Sequence, residues 1–173
     1  MTDHNIEANK ALVKEFYDAF NARDIDRVSA TLHDDFVWNT AIQADDAPNE
    51  LRPLQSNLLR GRNLNHKHPR LNRTQAVTAW GNLFKGVVGT LDSEGGRQQA
   101  TATADNYMRV EILGMTAEGD RVAVEAQSNG LYNPKTKRRY QNFYHGLYKI
   151  RDGKIILYKE YQDTLHLFDF ISE

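Results

Sequence analysis

The sequence predicts one α+β domain in which N-terminal helices are followed by a strongly curved antiparallel sheet around a pocket. In the first half, apolar residues recur at helical spacing in three segments. From residue 103 onward, apolar and polar side chains alternate in runs that turn residues separate, which is typical of strands. A length of 173 residues suits one core, so we expect a single domain over residues 1–173.

Three helices are expected before the sheet. The first spans residues 5–21, the second follows Asp24 as its N-cap, and Thr74 is suited to cap the third. A short strand at residues 36–40 separates the second helix from the third. The apolar positions of the three helices are Ile6, Val13, Phe16, Tyr17 and Phe20; Ile25, Val28 and Leu32; and Val77, Trp80, Leu83, Phe84 and Val87.

Residues 41 to about 73 fit neither the helix pattern nor the strand pattern. They contain three of the four prolines and are rich in Asn, Arg and His. An irregular insertion of this length in a compact domain is usually functional or disordered. We therefore expect either a lid or subunit-contacting arm with one short helix, or a disordered segment. The polar, Gly-rich residues 90–102 predict a second loop.

The C-terminal half predicts three consecutive hairpins and therefore an antiparallel meander. The first turn lies at residues 119–120, the second at residues 133–137, and Asp152 with Gly153 forms the third. After the last strand, residues 165–171 predict a short helix. The four strands are expected at residues 103–115, 120–132, 138–151 and 154–163.

Composition excludes several classes of function. The net charge of −1 gives no field that attracts nucleic acid or an anionic membrane. The absence of cysteine excludes thiolate nucleophiles and cysteine-ligated metal centres, and it fits a reducing cytoplasm. The N-terminus lacks the pattern of a signal peptide, and no apolar run reaches about 18 residues. No Gly-rich phosphate loop is present, so we expect no cofactor and neither a nucleic-acid nor a membrane partner.

Two smaller clusters are weak signals of function. His66 and His68 have a metal-binding spacing, but no carboxylate accompanies them, and we expect no metal site. A basic cluster at the second turn lacks interleaved aromatic residues, which predicts a solvated turn rather than a nucleic-acid site. This cluster comprises Lys135, Lys137, Arg138 and Arg139.

Two stretches of the sequence resemble a known family. The first is ALVKEFYDAFNARDID at residues 11–26, which continues to LHDDFVW at residues 32–38. The second is YQNFYHGLYKIRDGKIILYKEYQDT at residues 140–164. Together they resemble the SnoaL-like branch of the nuclear transport factor 2-like superfamily, whose members include ketosteroid isomerases, polyketide cyclases and limonene-epoxide hydrolases. The resemblance covers most of the chain outside residues 41–73.

The resemblance implies a fold and an assembly. The fold is a cone-shaped, curved antiparallel sheet wrapped around the N-terminal helices, which is a cystatin-like α+β barrel. The assembly is a homodimer that pairs through the convex face of the sheet, where Phe143 and Tyr161 are expected to be exposed. Because the superfamily uses one fold for many reactions and for binding alone, the resemblance selects no reaction.

The site positions of familiar members match this sequence only in part. The helix tyrosine of ketosteroid isomerases falls on Phe16, and Tyr17 is next to it on a different face of the helix. Their general base falls on Thr40, which cannot act as a base, so a steroid isomerase is disfavoured. One aspartate of the limonene-epoxide hydrolase site falls on Glu160. The arginine and the second aspartate of that site fall near Glu125 and Gln127.

Strand alternation predicts which side chains face the pocket. Since Lys159 is more cheaply solvated than buried, Tyr158 and Glu160 are expected on the concave side. On the preceding strand, Lys149 and Arg151 are expected to face solvent for the same reason. That strand then turns four residues inward, which are Tyr140, Asn142, Tyr144 and Tyr148.

The strand at residues 120–132 leaves two registers open. In one register the apolar set faces the pocket, and in the other a polar set does. The resemblance favours the polar set. The apolar set is Val122, Val124 and Ala126, and the polar set is Ala123, Glu125, Gln127 and Asn129.

Glu160 and Glu125 are the expected catalytic pair, because two carboxyls in a low-dielectric pocket cannot both ionise cheaply and the pKa of one rises toward neutrality. Such a pair supplies a general acid and a general base. Tyr144 is expected to stabilise an enolate or alkoxide oxygen. His145 and Asp163 are candidates for supporting roles, although alternation places His145 on the convex face and Asp163 also suits a helix cap. The expected substrate-binding residues are Phe16, Trp38, Trp80, Gln127, Asn129, Tyr140, Asn142 and Tyr158.

The leading functional hypothesis is a cofactor-independent enzyme that acts on a small, largely apolar molecule by general acid/base chemistry. Cyclisation, isomerisation, dehydration and epoxide or water addition all suit such a site. The alternative is a non-catalytic small-ligand-binding or dimerisation module of the same fold. In that case the polar groups of the barrel satisfy one another or face solvent.

Overall fold

The computed structural model describes residues 3–39, 70–91, 97–101 and 106–172, so Thr40, His66, His68 and most of the expected insertion lie outside the described residues. Four helices lie in these ranges, and none of them is long and apolar enough to cross a bilayer. The helices are α1 (Asp3–Asn21), α2 (Ile25–Thr31), α3 (Arg73–Phe84) and α4 (Thr164–Ile171). The strands are β1 (Leu32–Asn39), β2 (Arg70–Asn72), β3 (Val87–Leu91), β4 (Arg97–Thr101), β5 (Arg109–Glu118), β6 (Arg121–Asn129), β7 (Tyr132–Asn133), β8 (Arg138–Arg139), β9 (Asn142–Arg151) and β10 (Lys154–Gln162).

The N-caps of α2 and α3 differ in how well the sequence predicts them. Asp24 caps α2 as expected, because its side chain accepts a hydrogen bond from the backbone N–H of Arg27 at 3.0 Å. The prediction of Thr74 as the cap of α3 is wrong. Asn72 caps that helix, and the Gln75 side chain accepts a hydrogen bond from the Asn72 N–H in return. This capping box needs an amide or acid three residues after the cap, and Thr74 has Val77 there.

The main sheet has six strands in the order β2-β1-β10-β9-β6-β5. The predicted antiparallel meander is confirmed for β5, β6, β9 and β10, with the short β7–β8 hairpin inserted in its second connection. The expectation of a wholly antiparallel sheet is wrong, because β1 pairs with β10 in parallel. No hairpin joins these two strands, so nothing forces their directions to alternate. The α+β class is confirmed, but the described strands form an open curved sheet rather than a closed barrel.

The loop predicted at residues 90–102 overlaps two paired strands, β3 and β4. β3 pairs with β4 from Val87 opposite Thr101 to Leu91 opposite Arg97. Val87 is therefore a strand residue and not the last apolar position of a helix. The helix ends before it, because Gly86 adopts a φ of 76°, which is the left-handed conformation that closes many helices. The polar composition of the hairpin hides its strand character.

The core lies between the concave face of the sheet and the helices α1 and α3. Phe16 stands at its centre, since its ring meets those of Tyr17, Trp80, Tyr148 and Tyr158 at centroid distances between 5.4 and 6.0 Å. Edge-to-face and tilted ring pairs of this kind stabilise a core beyond the area that they bury. The aromatic cluster surrounds the space into which the last strand projects.

Candidate active site

Glu160 lies on β10 with its side chain on the concave face, beside Tyr158. The backbone of Glu160 is opposite Gly146 on β9, so no side chain from that neighbour covers the carboxylate. The inward direction that alternation with Lys159 predicts is therefore correct. Protein atoms surround the carboxylate, although part of the side chain keeps accessible surface where it lines the pocket.

Burial raises the pKa of Glu160 from 4.5 to about 7. Two neighbouring donor groups, those of Tyr158 and Trp38, oppose this rise because they favour the ionised form. The Trp38 indole N–H is buried and forms no hydrogen bond of normal geometry, so its influence on Glu160 is that of a nearby dipole. Desolvation outweighs the effect of both neighbours, so the carboxyl changes between its neutral and its ionised form close to neutral pH.

Three tyrosines form a connected group next to this carboxyl. The Tyr148 hydroxyl donates to the Tyr17 hydroxyl at 2.7 Å, and both phenols interact with Tyr158. The rings of Tyr148 and Tyr158 stack at 4.5 Å with an interplanar angle of 8°. Burial raises the pKa of Tyr17 to about 12 and the pKa values of Tyr148 and Tyr158 well above their ordinary value, so all three remain neutral donors.

Tyr17 is a site residue that sequence reasoning placed incorrectly. The sequence predicts it on a different helix face from Phe16, yet both line the same pocket. The adjacent aromatic residues Phe16 and Tyr17 were the sequence signal that both side chains could be buried. A helix that lies across a concave sheet buries a stripe wide enough for two adjacent positions.

The pocket itself is small and apolar. Its volume is about 40 Å³, whereas one water molecule needs roughly 10–15 Å³ and ligand pockets span roughly 300–1,000 Å³. Phe16, Trp80 and Tyr158 lie on its walls as predicted, and Trp38 stacks on Tyr158 at 6.2 Å from behind. The described residues that line it are Phe16, Tyr17, Phe20, Trp80, Val110, Tyr144, Tyr158 and Glu160.

The predicted facing of β6 is wrong. Val122 and Val124 are fully buried against the core, whereas Glu125 is exposed on the convex face, opposite His145. Burying valines gains free energy, while burying a carboxylate without a cation costs several kcal/mol, on the order of the penalty for an unpaired ion. Glu160 is therefore the sole carboxylate among the described residues of the pocket.

Two further residues of β6 follow Glu125 outward. Gln127 donates a hydrogen bond to Glu111 at 2.7 Å on the surface, and Asn129 is exposed at the end of the strand. Neither meets the pocket that Glu160 lines. Ser128 is the polar residue that β6 turns inward instead.

Tyr144 lies at the pocket wall as predicted. Its hydroxyl donates to the Tyr140 hydroxyl at 2.8 Å and lies 3.2 Å from that of Ser128. Burial raises the pKa of Tyr144 well above its ordinary value, so this phenol also stays protonated.

Tyr140 and Asn142 support the site without lining the pocket. The Tyr140 hydroxyl donates to Gln162 at 3.0 Å, and the Asn142 amide donates to that hydroxyl at 2.9 Å and to the Asp163 carbonyl at 2.9 Å. Asn142 also accepts from the backbone N–H of Phe143 at 2.8 Å. These bonds fasten the start of β9 to the end of β10, so the expectation of direct substrate binding by Tyr140 and Asn142 is not met in this geometry.

The two residues expected in supporting roles lie away from the pocket. His145 is exposed on the convex face, where its ring meets that of Tyr161 at 6.2 Å. Asp163 accepts hydrogen bonds from the backbone N–H groups of Leu165 and His166 at 2.9 and 3.2 Å, so it caps α4. Both positions agree with the alternatives that alternation and capping predict.

Comparison with known proteins shows which proteins this chain resembles. The sequence profile of the SnoaL-like domain matches residues 86–158, from the residue before β3 into β10. No curated protein sequence matches the chain. Residues 86–158 are therefore similar to the SnoaL-like domain, and the chain as a whole shares its fold with nuclear transport factor 2-like proteins.

Solved structures with the same fold superpose on most of the chain. The LEH-like epoxide hydrolase of M. tuberculosis has 18% identity and a TM-score of 0.62, over 96% of this chain and 91% of that one. A SnoaL-like polyketide cyclase from Jannaschia sp. CCS1 has 18% identity and a TM-score of 0.59, over 96% and 92%. Bal32a, from a soil-derived mobile gene cassette, has 15% identity and a TM-score of 0.61, over 96% and 98%. At these identities the likeness establishes the fold, and the SnoaL-like fold includes both cyclases and epoxide hydrolases.

Proposed function

We propose that this SnoaL-like chain is a cofactor-independent enzyme that moves protons on a small, largely apolar molecule, with Glu160 as its acid/base group. The observation that carries the proposal is a carboxyl with a pKa raised to about 7 in an aromatic pocket. A general base works best when its pKa lies near the operating pH, because it is then both available and strong. Perturbed carboxyls in clefts also concentrate at functional sites.

The neighbouring phenols give Glu160 a defined task. Tyr158 stabilises the ionised carboxylate, and the neutral Tyr144 hydroxyl lines the same pocket, where it can turn its proton from Tyr140 to a developing oxyanion. Since Glu125 lies on the outer face, one carboxyl takes the proton and returns it. Isomerisation and aldol-type cyclisation need only such a single shuttling group, and we favour them over reactions that require a separate acid and base.

A non-catalytic binding module is the second candidate. It is favoured by the small volume of the pocket, about 40 Å³, which admits only the end of a larger ligand. In a binding module, Glu160 would act as a hydrogen-bonding group for the ligand. The two candidates differ in whether turnover depends on its ionisation.

The experiment begins with native mass spectrometry of the protein purified from its host, to find a retained ligand. That ligand then serves as the assay substrate. Glu160→Gln is expected to lower turnover by about 10²- to 10⁴-fold, because a positioned acid/base group contributes that much. The matched control, Glu125→Gln on the convex face, is expected to leave turnover unchanged. Retained turnover in Glu160→Gln would contradict the proposal, and bound ligand without turnover in the wild type would favour the binding module.

Pairing of two chains through the convex face stays a prediction. It is supported by large apolar side chains at the surface, where Phe143 is 56% exposed and Leu113 is 52% exposed. The same native spectrum reads the mass of the assembly. A monomer mass would contradict this expectation without affecting the role proposed for Glu160.

A further inference from the structure

A polar groove runs between α1 and the edge strand β5, next to the pocket that holds Glu160. Its volume is about 450 Å³, which is within the roughly 300–1,000 Å³ of small-molecule sites. The described residues that line it are Lys14, Tyr17, Asp18, Asn21, Arg109, Val110, Glu111, Ile112 and Asn129.

The groove and the pocket share two side chains, Tyr17 and Val110. Tyr17 is 4% exposed and Val110 is 8% exposed, so each is a buried side chain that lines both spaces. The pocket of about 40 Å³ is too small for a whole metabolite, whereas the groove has the volume of one. The two spaces together match a ligand with a small inner end and a larger outer body.

The walls of the groove are held at a fixed spacing. The Asn21 side chain donates to the Val110 carbonyl at 2.8 Å and accepts from the Val110 N–H at 2.8 Å. This pair of bonds ties the end of α1 to the start of β5, an edge strand. A pre-formed site of this kind loses little ordering entropy when a ligand binds.

The charges in the groove sum to zero, because its lining includes two cations, Lys14 and Arg109, and two anions, Asp18 and Glu111. Lys14 pairs with Asp18 at 2.6 Å, and the Glu111 carboxylate accepts from Gln127 at 2.7 Å. The Arg109 guanidinium donates to the Tyr107 hydroxyl at 2.9 Å and lies over its ring. Such a surface offers hydrogen-bond donors and acceptors without a net charge, and it suits a neutral, oxygen-rich partner.

We propose that the groove and the pocket form one two-part site for a neutral amphipathic molecule. Its slender apolar end passes Val110 and reaches Glu160, and its hydroxyl- or carbonyl-rich body lies between α1 and β5. The inference deepens the proposed function by naming the class of substrate for the same site. Val110 is the residue that determines which apolar ends pass.

The test uses propyl β-D-glucopyranoside as a probe, which has a slender apolar end and a neutral polar body. Methyl β-D-glucopyranoside is the matched probe without the end. In an NMR titration of the full chain, the propyl probe is expected to shift the Val110 methyl and the Arg109 amide signals with one common Kd. The methyl probe is expected to bind at least about tenfold more weakly, equal to about 1.4 kcal/mol.

Two surface variants separate the groove from the rest of β5 and β6. Asn129→Trp fills the groove from an exposed position and is expected to weaken the propyl probe about tenfold or more, equal to at least about 1.4 kcal/mol. Glu118→Trp, at the exposed far end of β5, is the control and is expected to leave the Kd unchanged. Absence of saturable shifts up to the solubility limit, or equal Kd values for Asn129→Trp and the wild type, would overturn the inference.

The probe experiment is independent of the proposed chemistry. Glu160→Gln is expected to keep the probe affinity within about twofold, because a neutral amide still lines the pocket. Loss of turnover without probe binding would remove the two-part site and keep the acid/base role. Probe binding together with full turnover in Glu160→Gln would keep the two-part site and remove the acid/base role.

Discussion

Replacing Glu160 with glutamine is expected to stabilise the fold above neutral pH and to leave it almost unchanged in acid. The folded chain holds the proton of this carboxyl more tightly than the unfolded chain, because its pKa is about 7 in the fold and 4.5 in the reference state. The favourable contribution of the neutral acid is therefore fully present below about pH 4.5 and is lost as the pH rises through about 7. Glutamine is neutral throughout and keeps nearly the same shape.

The size of this effect follows from the displacement of the pKa. A difference of about 2.5 pKa units corresponds to roughly 3 kcal/mol, which is the order of magnitude expected at about pH 8. Urea unfolding of the wild type and Glu160→Gln at about pH 5 and pH 8 measures it. Glu125→Gln, at an exposed position of the same sheet, is the control for general charge effects. A stability gap that is equal at both pH values would show that Glu160 is not forced to hold its proton.

Replacing Gly146 with alanine is expected to destabilise the domain by about 1–3 kcal/mol, the usual cost of overpacking a core. A Cβ atom at this position would lie 3.0 Å from a Tyr148 ring carbon and 3.1 Å from a Tyr158 ring carbon. Both rings are buried and stacked on each other, so neither has room to retreat. Gly146 is opposite Glu160, and the displaced rings would also disturb the donor that Tyr158 offers to the carboxylate.

Gly114→Ala is the matched control for this substitution. Gly114 is also in a strand of the main sheet, but its added Cβ would meet only the flexible end of Glu125 at 3.6 Å, which is an ordinary contact. We expect its free energy of unfolding to change by less than about 0.5 kcal/mol, as at a permissive surface site. Equal losses for the two alanine variants would mean that strand glycine itself, and not the tyrosine stack, sets the cost.

The fold was predictable because its strongest signals are local. Asp152 and Gly153 adopt positive φ values in the turn between β9 and β10, as their sequence predicts, and Asp24 caps α2. The parallel partnership of β1 with β10 was not predictable from such signals. The two strands are far apart in the chain, so no turn sequence between them indicates that they pair.

The orientation of Glu160 was predictable from the sequence, whereas the orientation of its expected partner Glu125 was not. Lys159 orients Glu160 because a lysine is costly to bury, so alternation has one answer on β10. On β6, alternation alone leaves two answers, and the resemblance to an epoxide hydrolase favoured the wrong one. The fully buried Val122 and Val124 show that apolar burial decides this strand. A second carboxyl was therefore expected where the fold places valines.

The most direct test of the account is the pKa of Glu160 in the folded protein. A carboxyl ¹³C NMR titration of the wild type measures it, and the signal is assigned by its loss in Glu160→Gln. The account predicts a midpoint near 7, because desolvation outweighs the neighbouring donor groups of Tyr158 and Trp38. A midpoint near 4.5 would contradict it, because an ordinary carboxyl would be ionised at neutral pH and too weak a base for the proposed proton transfer.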